Sequence, residues 1–376
     1  LSDRGRKVLA GSVLGVAAVL ILVVSVAGGS DTLELNVYNW GEYISDGSDG
    51  SLDTVKAFEA WYEETYGEKV HVNYTTYASN EDMYAKLKSG AVSYDVIIPS
   101  DYMIARLANE DMLLPLNFDN IPNYQYIEDQ FRGLYYDPDD TYSIPYTYGV
   151  VGVIYDANQV DEADAGGWDL MWNPKYKGKI LQFNNSRDAF GTAMYRAGID
   201  VNTTDKSQIR EAFELLKNAK DQGVYQAFVM DQVFQKMEGG NAAIAMYYAG
   251  DYLTMLENNE DLAFVVPEEG SNWFVDAMCV LKSSQHKDEA MEWINFIAGT
   301  DASLANMDYI WYASPNAEAL AEYPAYYEEQ NGEALDQELY NIMAAPADVL
   351  DRCELYVNLP QETLKYYDKL WTQLGV

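Results

Sequence analysis

The sequence predicts an α/β protein of two lobes, each a mostly parallel sheet flanked by helices, joined by two crossover segments. Three observations predict it. The chain has 376 residues, too many for one ordinary compact domain. Strand-like and helix-like segments alternate along residues 33–111, the pattern of a doubly wound sheet. Two extended runs, at 142–156 and 273–282, then interrupt that alternation where a chain would cross between lobes.

Each element has its own signal. LELNVYNW (33–40) alternates as a strand, and LDTVKAFEAWYEETYG (52–67) carries helical periodicity closed by Gly67. KVHVNYTTY (69–77) is β-branched and aromatic, hence a second strand. EDMYAKLKSG (81–90) is a helix with Ser79 or Asn80 as its N-cap. YDVIIPS (94–100) reads as a short buried strand, followed by a helix over 102–111. Beyond the first crossover, helices are expected at 187–198 and 205–221, and strands at 242–248 and 262–269. After the second crossover come helices at 286–299 and 359–374. Ligands of such sheets sit beyond the carboxyl ends of the strands, which selects 40–43 and 99–102. Two lobes on extended crossovers form a hinge suited to closure around a ligand.

Arg4, Arg6 and Lys7 precede a run from Val8 to Ser30 without a charged residue. Its length is close to the roughly 20 residues that span a bilayer. It reads as a signal peptide with a site at Ser25-Val26-Ala27, as an uncleaved anchor, or as a lipoprotein-type signal. Gly29 stands where the last would need cysteine, so lipidation there is impossible. Each reading places residues 31–376 outside the cytoplasm.

With 60 acidic against 24 basic residues, the net charge is −36. Nucleic acid is excluded as a partner, since binding it needs basic groups. A negative field attracts cations, although acidity also serves solubility. Thirty-two tyrosines and eight tryptophans supply rings for cores and for clefts that hold amphipathic ligands. Cys279 and Cys353 are the only cysteines, either a disulfide or two buried thiols. His71 and His286 lie in no metal-ligand spacing, so neither a metal nor a cofactor is expected.

The segments YNWGEY (38–43), TYASNEDMYAKLKSG (76–90), YDVIIPSDYM (94–103), YSIPYTYGV (142–150), WNPKYKGKI (172–180), EEGSNWFVDAM (268–278) and INFI (294–297) carry a resemblance. Over 33–370 the chain resembles the spermidine/putrescine-binding proteins of bacterial ABC importers, a branch of the type II periplasmic-binding-protein fold. WNPKYKGKI and INFI are shared across the fold; NWGEY, WFVDAM and Arg187-Asp188 are the segments specific to polyamines. The resemblance implies a signal or anchor at 1–30, lobe 1 over 31–147 and 276–320, and lobe 2 over 148–275 and 321–376. It also implies a polyamine ligand and permease subunits as partners.

A polyamine needs separated carboxylates for its ammonium groups and aromatic walls for its methylenes. By resemblance, Trp40 and Tyr43 face the methylenes and Glu42 meets an amine, though Glu42 also reads as a surface carboxylate. Ser100 and Tyr102 correspond to ligand contacts, and Ser100 reads equally as a helix cap. Asp188 takes the place of an ammonium-binding carboxylate, with Arg187 beside it. Asn185 stands where spermidine-binding members carry aspartate. Tyr248 replaces a stacking tryptophan, Asp251 matches an acid of putrescine-selective members, and Tyr312 matches a cleft tyrosine. Asp251 also reads as a helix N-cap. Phe274 is the putrescine-type aromatic. Asp276 stands alone in the apolar run WFVDAMCV, where a charge is costly unless paired. A cationic ligand or a hinge salt bridge would pair it. Asn185, Asp251 and Phe274 tilt the expectation toward putrescine.

Other readings stay open on the residues alone. A glycan-acting enzyme could use two acids among Glu42, Asp188 and Asp276, but no nucleophile elbow, phosphate loop or metal cluster accompanies them. The same fold could hold another small organic cation, or serve a surface sensor.

Overall fold

Leu35 and Val37, fully buried, face inward from β1 (Leu33–Trp40), the strand that the alternation predicted. The computed structural model describes residues 32–376, so the segment 1–30 lies outside the described residues. α1 (Thr54–Tyr66) starts where the Asp53 side chain accepts the Lys56 N–H, and ends at left-handed Gly67. β2 (Val70–Tyr77) runs parallel to β1. Ser79 is the cap of α2 (Asn80–Ser89), accepting the Asp82 N–H. The strand expected over 94–100 shrinks to β3 (Val96–Ile97). Pro99 has no N–H to give a ladder, and the Ile98 carbonyl is taken by the Trp40 indole and the Tyr77 hydroxyl. α3 (Asp101–Asn109) follows at once.

The first crossover run is one strand, β4 (Ser143–Asp156). The second lobe then adds β5 (Ile180–Phe183), α4 (Ser186–Ala197), α5 (Lys206–Asp221), β6 (Tyr225–Val229) and α6 (Gln232–Glu238). β7 (Ile244–Tyr248), α7 (Ala249–Leu256) and β8 (Leu262–Val265) complete that stretch. β9 (Ser271–Val280) is the second crossover run. The remainder is α8 (Lys287–Ile297), α9 (Thr300–Ile310), α10 (Ala317–Asn331), α11 (Gln337–Met343), α12 (Ala347–Leu350), β10 (Cys353–Glu354) and α13 (Gln361–Leu374).

The strand order is β2-β1-β3-β9-β4-β7-β5-β6, with β10 on β9 and β8 on β4. β1, β2 and β3 are parallel to one another, as are β5, β6 and β7. β4 and β9 are antiparallel and pair from Ser143–Cys279 to Val150–Trp273, with a register shift between Pro145 and Thr147. These two long strands belong to both lobes, and the expected boundaries at 147/148 and 275/276 fall inside them. α13 packs on α4 and α5 of the second lobe.

The cysteines are both free and buried. Cys353 pairs with Ser271, while Cys279 lies further along the same strand. At ~3.3 Å per residue that separation is about 26 Å, which excludes a disulfide.

Candidate ligand-binding site

The carboxyl ends of β1, β3, β6 and β7 converge with the middle of β9 on one cavity of about 50 Å³. Ten of the thirteen residues expected at the site line it; Glu42, Asn185 and Arg187 do not.

From the first lobe, Trp40 is fixed by its indole N–H donating to the Ile98 carbonyl at 2.9 Å. Tyr43 donates its hydroxyl to Asp276 Oδ2 at 2.7 Å and also meets the Thr147 hydroxyl. Its ring meets Tyr312 edge-on, with centroids 4.9 Å apart. Ser100 stands at the N-cap position of α3 without capping it; its hydroxyl instead accepts from Asn80 Nδ2 at 3.0 Å. The same amide reaches the Tyr102 hydroxyl at 3.1 Å, which in turn donates to Glu81 at 2.9 Å. Glu42 is exposed, with a φ of 50°.

From the second lobe, Asn185 caps α4: its side chain accepts the Asp188 N–H at 2.9 Å and donates to Asp188 Oδ2 at 2.8 Å. The Tyr248 hydroxyl donates to the same oxygen at 2.9 Å. Asn185 therefore acts on the site through Asp188. Arg187 is buried behind the wall, its guanidinium 5.3 Å from the Tyr102 ring and 4.8 Å from the Tyr356 ring. Phe274 meets Tyr248 edge-on at 5.4 Å. Asp251 lies in the first turn of α7 and is not its cap; the Tyr312 hydroxyl bonds its carboxyl.

The lining holds five aspartates and no lysine, arginine or histidine. Burial raises the pKa of each acid considered next. Asp276 is pushed up to about 6, chiefly by desolvation, against the Ser100 and Tyr43 hydrogen bonds, with Asp188 adding to the rise. Desolvation also raises Asp188, partly offset by Asn185, Tyr248 and Arg187. Asp251 is held well above the usual carboxylate range by desolvation, with Asp231 and Glu42 adding to it. Asp231 is raised by desolvation and then by Glu42. Asp276 is only 4% exposed, and its Oδ1 has no hydrogen-bond partner. Among the described residues no lysine or arginine pairs with it, so the hinge salt bridge is absent there.

Asp231, Asn80, Tyr247, Asn272 and Tyr356 line the cavity without having been singled out from sequence. Asp231 follows β6, so the strand-end rule would have found it had that strand been recognised. Among the described residues no group of acids, cysteines and histidines is arranged to hold a metal, and no helix is long and apolar enough to cross a membrane.

The sequence profile of the bacterial extracellular solute-binding proteins matches residues 53–331. The chain belongs to that family. Membership makes it a binding protein and not a glycan-acting enzyme. The chain is 29% identical over 306 residues to the spermidine/putrescine-binding periplasmic protein of Escherichia coli K12, covering 81% of this chain and 83% of that one. It is 26% identical over 351 residues to the putrescine-binding periplasmic protein PotF of the same organism, covering 88% and 90%. Among solved structures it is similar to the Streptococcus pneumoniae spermidine/putrescine ABC transporter substrate-binding protein PotD. The TM-score is 0.70 at 31% identity, over 91% of this chain and 98% of that one. The solute-binding family thus has the two-lobed architecture seen here.

Proposed function

We propose that this protein captures a polyamine outside the cytoplasm, putrescine in preference to spermidine, and delivers it to the permease of an ABC importer. Residues 1–30 would export the protein or hold it at the outer face of the membrane. The observation that carries the reading is Asp276, a buried acid with an unpartnered oxygen in a cavity lined by five aspartates and no cationic side chain. An ammonium group supplies the missing partner. Asp188 lies within Coulomb range of Asp276, while Asp251, Asp231 and Glu42 act on one another. Carboxylates from both lobes reach the cavity, as a ligand charged at both ends requires. Trp40, Tyr43, Tyr248, Phe274 and Tyr312 wall the space with rings suited to methylenes.

Charge-assisted hydrogen bonds contribute about 1.5–3 kcal/mol each and desolvated cation–π contacts about 2 kcal/mol. After the cost of ordering a flexible ligand, micromolar or tighter affinity follows. The preference for putrescine is supported by size and by charge. A cavity of about 50 Å³ takes roughly four water molecules. That suits a short diamine better than a longer triamine. Asn185 adds no charge beside Asp188.

Calorimetry on residues 31–376 with putrescine, spermidine, spermine, cadaverine and glycine betaine tests the reading. Putrescine should bind with a Kd of about 10 μM or below. If no polyamine binds tighter than about 100 μM, the reading fails. Tighter binding of spermidine than of putrescine would overturn the preference alone.

A further inference from the structure

We infer that Asp231 receives the outer ammonium group of the bound diamine at the solvent edge of the cleft, and that Gly41 is the gap that admits its carboxylate. The inference rests on the polyamine reading above and assigns one end of that ligand.

Asp231 sits at the N-cap position of α6, where aspartate ordinarily accepts a helix N–H. Here its side chain makes no capping hydrogen bond, and its backbone is already helical. Among the described residues no lysine or arginine forms an ion pair with it. The carboxylate instead lines the cavity and lies against the backbone that leaves β1. A Cβ on Gly41 would come within 2.6 Å of Asp231 Oδ2, closer than real Cβ contacts allow. Any side chain at position 41 would therefore displace the acid.

Glu42, next to Gly41, is exposed and acts electrostatically on Asp231 across the gap. The two carboxylates come from opposite lobes, so they repel when the lobes close unless a cation lies between them. That the cavity takes a cation is indicated separately by Asp276, buried on its inner side with Oδ1 lacking a hydrogen-bond partner. Asp276 and Asp188 hold the inner ammonium, leaving the outer one to Asp231, the exposed acid of the lining, with Asp251 within Coulomb range of it. A ligand with one charge would occupy the inner acids and leave Asp231 unused.

The test compares putrescine with pentylamine, in which a methyl group replaces one ammonium. Binding of both to the protein and to Asp231→Asn is measured by calorimetry, with pentylamine read by competition. The substitution should weaken putrescine about tenfold or more and pentylamine less than twofold. Equal loss for the two ligands, or no loss for either, overturns the assignment while leaving the polyamine reading in place. Failure of the unmodified protein to bind putrescine overturns both. Gly41→Ala gives a second route that does not alter Asp231: it should weaken putrescine selectively, and the effect should vanish when Asp231→Ala is already present. A cost of the same size in both backgrounds places the methyl group's effect elsewhere and counts against the contact.

Discussion

Asp137, in the turn before β4, and Asp276, within β9, are buried to almost the same degree, 3% and 4% exposed. Their surroundings differ in kind. Asp137 accepts from the backbone N–H groups of Thr141, Tyr142 and Ser143 and from the Ser143 hydroxyl, all at 2.8–2.9 Å. It organises a corner and has nothing left to bind. Asp276 is reached by the Tyr43 hydroxyl on one oxygen and lies near Ser100, while its other oxygen meets no donor. Burial of an acid is thus no sign of a site until its hydrogen bonds have been accounted for.

The largest expected effect falls on the satisfied acid. Asp137→Ala strands three backbone N–H groups, one buried and two half-buried, each costing up to about 1–3 kcal/mol. Urea unfolding should show a loss of about 3–5 kcal/mol, with the affinity of the folded protein for putrescine unchanged. A loss below about 1 kcal/mol would mean that the corner does not need its carboxylate.

Asp276→Asn should do the reverse, leaving the fold intact and weakening putrescine at least tenfold, about 1.4 kcal/mol. Calorimetry decides it, and unchanged affinity removes Asp276 from the site. The contrast was half visible in the sequence. An isolated acid inside WFVDAMCV marks a charge that needs a partner, and the strand-end rule located Trp40, Tyr43, Ser100 and Tyr102. Asp231 escaped because the strand before it, β6, was not recognised, and only three dimensions show that its side chain lines the cavity instead of capping α6.

The fold divides along similar lines. Strands with clear alternation and helices ending in glycine were legible, as in β1, α1 and α2. The helices over 300–331 were not: α9 is rich in small and polar residues, and α10 contains Pro324. Glu42 shows a further limit. Its motif was readable, but its left-handed backbone and its place outside the cavity lining were not.

Acid should act on the site through Asp276. A bound ammonium favours ionised Asp276, whose pKa in the free protein is about 6, so binding at lower pH must first expel a proton. Between pH 7.5 and 5, putrescine should weaken by roughly tenfold from this group alone. The rises at Asp188 and Asp251 act in the same direction. A Kd constant over that range would show that the carboxylates which hold the ligand stay ionised without it.

The smallest effect concerns the ligand-free protein. A carboxyl raised from 3.8 to about 6 binds its proton more tightly folded than unfolded. Its charged form therefore opposes folding above pH ~6, and the penalty disappears below the unfolded value. Two pKa units bound that penalty at about 3 kcal/mol, and the amide's own burial offsets part of the gain. Asp276→Asn should then stabilise the empty protein by about 1 kcal/mol at pH 7.5, a rise in Tm of roughly 2 °C, and by less at pH 4.5. Ligand-free melting curves at the two pH values measure it. A fall in Tm at pH 7.5 would group Asp276 with Asp137, as an acid that the fold needs. A rise would mark it as one that the fold tolerates for the sake of a cation.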